Sequence, residues 1–233
     1  MKRAITLAVG ALAVSVAIPA IAPASHKPDH NPGGGGGGGQ AGQLTIAAAP
    51  NPVVFGGTVT ITGQLKGNTA ANQAIELQEK PAPCSSTVAF AAVATTTTRA
   101  DGTYTILRQP TVNTCYRVVT KTTPPEVSAT VTVAVRISLS IRLSDTTPRR
   151  GALVRFSGLA KPAHDGRAVL IQRRLSTGAF RTIARTTLRD AGDTASRYSR
   201  RVRIYTTGTY RTAVLADGDH AEGLSRRRAI RVH

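Results

Sequence analysis

Gly57-Thr-Val-Thr-Ile-Thr-Gly63 returns further along the chain as Gly151-Ala-Leu-Val-Arg-Phe-Ser-Gly158. Between the two glycines, apolar and polar residues alternate, as they do in a strand with one buried side. Working outward, Ala74-Ile-Glu-Leu-Gln-Glu-Lys80 is matched 94 residues later by Ala168-Val-Leu-Ile-Gln-Arg-Arg174. Phe90-Ala-Ala-Val-Ala94 is matched by Phe180-Arg-Thr-Ile-Ala184, Tyr104 by Tyr198, and Tyr116-Arg117 by Tyr210-Arg211. Blocks that recur in one order at nearly constant spacing mark two copies of one unit. The copies are placed at 43–135 and 136–233.

Each copy reads as β throughout. In the first, alternation marks 44–48, 58–62, 74–78, 88–94, 104–107, 116–119 and 127–135. Turn-forming residues such as Asn51-Pro52, Asp101-Gly102 and Pro124-Pro125 separate these runs. No stretch carries helical periodicity. The expectation is all-β: two tandem seven-stranded antiparallel β-sandwiches of immunoglobulin-like type. At the junction every odd position from Val127 to Leu143 is apolar, with no Gly or Pro between them. Seventeen extended residues span about 56 Å, too long for one strand of a small domain. The last strand of copy one is therefore expected to run directly into the first strand of copy two, giving a stiff end-to-end rod.

The N-terminal segment carries an address. Met1-Lys2-Arg3 is basic, residues 4–22 are apolar and uncharged, and small residues follow. This reads as a signal peptide, 1–24, with cleavage between Ala24 and Ser25. Uncleaved, the same run of 19 residues would serve as a membrane anchor. Residues 25–42, with seven consecutive glycines from Gly33 to Gly39, read as a disordered Gly-rich linker. Its His26 and His30 are either solvated or able to catch copper or nickel.

Cysteine usage fits an exported chain. Cys84 and Cys115 are the only two, both in the first copy. They are expected to form a structural disulfide, since neither a redox nor a zinc site has the spacing or partner ligands.

The charge is unevenly divided. The chain carries +18 overall. Residues 43–135 hold six basic and four acidic side chains, whereas 136–233 hold twenty-one basic and seven acidic. Twenty of those twenty-one are Arg, against three Arg in the first copy. A codon bias toward Arg would raise both copies alike. The candidate anion-binding residues are Arg173, Arg174, Arg181, Arg185, Arg201, Arg203, Arg226, Arg227 and Arg228. Guanidinium groups suit two-point contact with phosphate, sulfate or carboxylate. The alternative is a solvated, solubilising surface.

The pattern Gly57–Gly63, Ala74–Gln78, Asp101-Gly-Thr-Tyr104 and Asn113-Thr-Cys-Tyr-Arg-Val118 resembles tandem immunoglobulin-like domains of secreted actinobacterial proteins. It is similar also to the carboxypeptidase-regulatory-like sandwich modules found beside enzymes and in adhesins. The resemblance spans both copies and rests on turn and core positions. It implies a spacer, accessory or binding role and supplies no catalytic residue.

No nucleophile motif or strand-end carboxylate pair is present. His164, His220 and His233 stand outside any such motif. Asp217-Gly-Asp219-His-Ala-Glu222 is the one acidic knot; Asp217, Asp219 and Glu222 read as a solvated turn or as calcium ligands. No cofactor, catalytic residue or small-molecule substrate is expected. The expected function is a secreted, non-enzymatic structural or adhesion-type protein of the cell envelope. Its partner would be an anionic cell-wall polymer or another envelope protein, and the export signal argues against intracellular nucleic acid. The alternative is a regulatory or carbohydrate-binding accessory module for a separately encoded secreted enzyme.

Overall fold

The computed structural model describes residues 44–233, so the expected leader, its cleavage at Ala24–Ser25, and the linker with His26 and His30 lie outside the described residues. Every regular element described is a strand. The first copy contains β1 (Ala47–Ala49), β2 (Val53–Val54), β3 (Val59–Gln64), β4 (Ala74–Pro81), β5 (Ala91–Thr97), β6 (Thr103–Arg108), β7 (Thr114–Thr120), β8 (Val131–Val133) and β9 (Val135–Arg136). The second contains β10 (Ser138–Leu139), β11 (Arg142–Leu143), β12 (Leu153–Lys161), β13 (Ala168–Arg174), β14 (Phe180–Thr187), β15 (Arg189–Asp190), β16 (Ser196–Arg203), β17 (Gly208–Val214), β18 (Gly223–Leu224) and β19 (Arg228–Ile230). Two- and three-residue pieces raise the count above the expected seven per copy. β2, which pairs in parallel with β9, had no alternation long enough to be seen.

In copy one, β1-β3-β6 faces β5-β4-β7-β8; in copy two, β10-β12-β16-β15 faces β14-β13-β17-β18, with β11 on β12 and β19 on β17. The alternation explains the layering. Val59, Ile61, Ile75, Leu77, Tyr104, Tyr116 and Val118 point between the first pair of sheets and are buried, while their sequence neighbours face outward. Val154, Phe156, Val169, Ile171, Tyr198 and Tyr210 do the same in the second. Aliphatic side chains buried in this way stabilise by about 1.5–3 kcal/mol each.

Both copies carry the same irregularities. The register of β4 against β5 slips between Leu77 and Gln78, and that of β13 against β14 slips between Ile171 and Gln172. Tyr104 donates its hydroxyl to the carbonyl of Thr45 at 2.5 Å, and Tyr198 donates to that of Ser140 at 2.8 Å. Gly63 and Gly158 sit beneath these bonds. A Cβ on Gly63 would overlap the Thr45 carbonyl and the Tyr104 hydroxyl; one on Gly158 would overlap the Ser140 carbonyl and the Tyr198 ring. These tyrosines are therefore core and corner residues.

The junction path is extended, as its alternation predicts. Val133 and Val135 enter the first core, and Ile137, Leu139 and Ile141 enter the second. The early part differs from expectation: Val127 is exposed and touches β7 only through an isolated bridge to Val119. Cys84 and Cys115 form the expected disulfide, with Cα atoms 5.7 Å apart and a sequence separation of 31. Closing a loop of that size stabilises by about 3–4 kcal/mol on the chain-entropy account.

Candidate functional site

The outer side of the β12–β16 sheet is strongly basic. Odd-numbered residues of β12 point outward because Val154, Phe156 and Ala160 are buried between the sheets. Antiparallel pairing then sets Arg155 opposite Arg201, Leu153 opposite Arg203, Ser157 opposite Ser199 and Leu159 opposite Arg197. Neighbouring strands extend the row: Arg189 pairs with Arg197, Arg142 with Ser157, and Ser138 with Lys161. The outward strand positions thus present Arg142, Arg155, Lys161, Arg189, Arg197, Arg201 and Arg203, with no acidic residue among them. None of the seven makes a salt bridge to a described residue.

Two of these pairings set like charges directly opposite one another, Arg155 with Arg201 and Arg189 with Arg197. Such pairs weaken a sheet by about 0.2–1 kcal/mol each. Beside them lies a groove of about 610 Å³, lined by Arg142, Arg197 and Arg226 together with Ser140, Ser157 and Ser199. Three guanidinium groups and the Ser157 and Ser199 hydroxyls in one open groove form a donor set for oxyanions, while the Ser140 hydroxyl bonds to the Leu159 backbone.

The nine arginines singled out from sequence do not form one surface. Arg201 and Arg203 stand on the sheet just described, and Arg226 lines its groove. Arg173 and Arg181 face each other across β13 and β14 and, with Arg203, Tyr205 and Tyr210, line a cavity of about 180 Å³. These two stand on the opposite sheet, β14-β13-β17-β18, and so are no part of the β12–β16 row. Arg227 lies over the Phe180 ring, and Arg228 pairs with Tyr210 across β17 and β19. Arg174 leans on the Gly178 carbonyl, and Arg185 is exposed on β14. Conversely, Arg142, Arg155, Arg189 and Arg197 belong to the face without having been singled out. Their only sequence signal was outward parity on alternating strands.

Arg211 has a different role. Its guanidinium sits 3.8 Å from the Phe180 ring centroid and donates to Gln172 Oε1 at 2.8 Å. Arg117, Phe90 and Gln78 repeat that arrangement in the first sandwich, at 4.2 Å and 2.8 Å. A contact present in both copies belongs to the frame rather than to the charged face of one.

The acidic knot is also rearranged relative to expectation. Asp217, Asp219 and Glu222 do not converge on a common point. Asp217 turns instead toward His164 and His220, and these three alone among the described residues bring three ligand-type atoms within 4.8 Å of one another. Asp219 is exposed; Glu222 lies near the Arg211 guanidinium, which its charge favours. Burial raises the Asp217 carboxyl, yet the net shift is downward, and the backbone N–H groups of His220 and Asp219 that donate to it are the largest lowering causes. Sequence gave no motif for this cluster, because His164 and Asp217 come from separate turns. The available signal was divergence between the copies, since Ala70 stands 94 residues before His164.

No protein-family model matches this sequence, and no curated protein matches it. Among solved structures, a tetra-tandem repeat in the extending region of a large adhesion protein is similar at 20% identity and a TM-score of 0.35, over 82% of this chain and 49% of that one. A marsupial T cell receptor is similar at 10% identity and a TM-score of 0.40, over 82% of this chain and 73% of the receptor. The D0-D1 domain of intimin is similar at 13% identity and a TM-score of 0.29, over 81% of this chain and 97% of that one. The chain thus spans about half the length of the adhesion-protein structure.

Proposed function

We propose that this is a non-enzymatic, extracytoplasmic adhesion-type protein whose second sandwich holds an anionic polymer against the β12–β16 sheet. The observation that carries the reading is the outward row of seven basic residues with two directly opposed arginine pairs and no neutralising acid. A sheet retains opposed like charges at a cost to its own stability, and an anion laid across them removes that cost. The polymer is a repeating phosphate, sulfate or carboxylate chain of the cell wall, because a linear row of guanidinium groups matches a linear row of charges. The disulfide accords with an oxidising compartment, as does the basic-then-apolar leader.

The test is cosedimentation of the purified chain with cell walls, native and stripped of anionic polymers, at two salt concentrations. Binding to native walls that falls steeply with salt is expected, through counterion release. The decisive comparison is between two charge-matched variants. Arg155→Gln/Arg201→Gln alters the face, whereas Arg149→Gln/Arg150→Gln removes the same charge from exposed positions outside it. Loss confined to the first variant supports the site. Equal loss in both means that net charge alone acts, and no wall binding at all removes the proposal.

A further inference from the structure

The His164–Asp217–His220 cluster stands apart from the arginine sheet and does not depend on the reading above. Its three ligand atoms lie within 4.8 Å of one another. The His164 and His220 side chains are almost fully buried, and Asp217 is open to solvent on one side.

Hydrogen bonding fixes where the lone pairs point. His164 Nδ1 lies 2.8 Å from the Pro162 carbonyl, and His220 Nε2 lies 2.8 Å from that of Thr111. A carbonyl only accepts, so each of those ring nitrogens carries the proton. In the neutral rings, His164 Nε2 and His220 Nδ1 are then left with lone pairs. Both face the carboxylate: His164 Nε2 is 3.2 Å from Asp217 Oδ2, and His220 Nδ1 is 3.7 Å from Oδ1. His220 Nδ1 is buried and has no hydrogen-bond partner.

Protonation resolves this arrangement only in part. An imidazolium at His164 would pair with Oδ2 and still leave His220 Nδ1 without a partner. Charging both rings would set two cations 4.9 Å apart, centroid to centroid, in a buried site. One cation that accepts all three lone pairs satisfies every group. Imidazoles whose far nitrogens donate to backbone carbonyls are also oriented in the way that supports metal ligands.

We propose that His164, Asp217 and His220 bind one divalent transition-metal ion of the zinc class, and that this ion fastens the junction between the sandwiches. Two imidazole nitrogens and one carboxylate oxygen suit zinc and disfavour calcium, which takes a shell of oxygens. Water completes the shell on the exposed side of Asp217. Bonds of about 2.0–2.2 Å require the ligand atoms to draw in to roughly 3.3 Å from one another, a small side-chain movement. Arg167 Nη2 is 3.8 Å from Asp217 Oδ2 but donates to the Leu215 and Ala216 carbonyls at 3.0 Å each, so the ion displaces only its longer contact.

The junction role follows from what else this loop holds. His220 reaches Thr111 of the first sandwich, the Asn113 N–H donates to the Asp219 carbonyl at 2.7 Å, and Ala221 exchanges hydrogen bonds with Val135 and Ile137. An ion on His220 and His164 therefore ties this loop, and the first-sandwich segment bonded to it, to the turn after β12.

The test uses the full chain without an affinity tag, carrying His26→Ala and His30→Ala to remove the imidazoles of the tether. Zinc titration by calorimetry is expected to give one ion per chain, with a Tm increase of about 5–11 °C at a hundredfold excess over Kd. Cobalt in place of zinc is expected to give visible absorption bands from a nitrogen- and oxygen-bound ion. Asp217→Asn and His164→Ala are each expected to weaken binding at least tenfold. Absence of stoichiometric zinc and of cobalt bands in the parent chain overturns the proposal. So does binding of equal strength in the folded variants. Should both variants fail to fold, the parent's stoichiometry and cobalt spectrum decide alone.

Discussion

The two sandwiches share a frame and solve opposite problems on it. The first closes its 84–115 loop with a disulfide and pairs charges, Arg108 with Glu79 and Lys121 with Glu76. The second has no cysteine, and its arginine sheet has no ion pair among the described residues. Yet the register slip, the tyrosine-to-carbonyl bond, the glycine beneath it and the arginine over a phenylalanine recur in both. What recurs is what the frame requires. What differs is where a function of the second sandwich can reside: the outward arginine row and the His164–Asp217–His220 cluster.

The largest way to break this comparison is to remove the bridge. Cys84→Ser/Cys115→Ser is expected to cost about 3–4 kcal/mol in the first sandwich. Hydrogen exchange followed strand by strand should show the loss in β4 and β7 and little change in β13 and β17. Equal loss in both would mean that the sandwiches unfold as one unit.

Gly63→Ala and Gly158→Ala sharpen the shared part. Each forces a methyl group against a tyrosine and a carbonyl, with an expected cost of about 1–3 kcal/mol. Denaturant titration of the two variants should give similar losses. Smaller still are Tyr104→Phe and Tyr198→Phe. Tyr198 bonds to Thr212 Oγ1 at 3.0 Å as well as to Ser140, whereas Tyr104 has the Thr45 carbonyl alone. Loss of about 2 kcal/mol is expected at Tyr198 and about 1 kcal/mol at Tyr104.

Much of the frame was legible because it rests on parity and turns. Alternation in Thr58 to Thr62 and in Ala74 to Gln78 identified buried positions directly, and recurrence 94 or 95 residues later doubled the signal. The junction was readable for the same reason: Val135 and Ile137 keep one parity while passing from one core to the next. The register slips were not readable, because a bulge leaves no mark in composition. Nor did charge alone tell which sheet an arginine joins: Arg173 and Arg181 stand on β13 and β14, opposite the β12–β16 row. The arginine sheet was half legible. Arg201 and Arg203 were visible as an alternating pair, but Arg155 and Arg189 join them only through cross-strand register. The histidine cluster was illegible, because His164 and Asp217 meet only through the packing of two distant turns.

The smallest stability effect tests the central claim most directly. Arg155→Glu replaces an opposed arginine pair with an opposite-charge pair facing Arg201. Stability by denaturant titration is expected to rise by about 0.2–1 kcal/mol. Binding of the same protein to an anionic wall polymer, titrated at fixed salt, is expected to weaken at least tenfold. A more stable protein that binds less is the signature of charges kept for a partner. Unchanged binding would show that the arginine row is only a solvated surface.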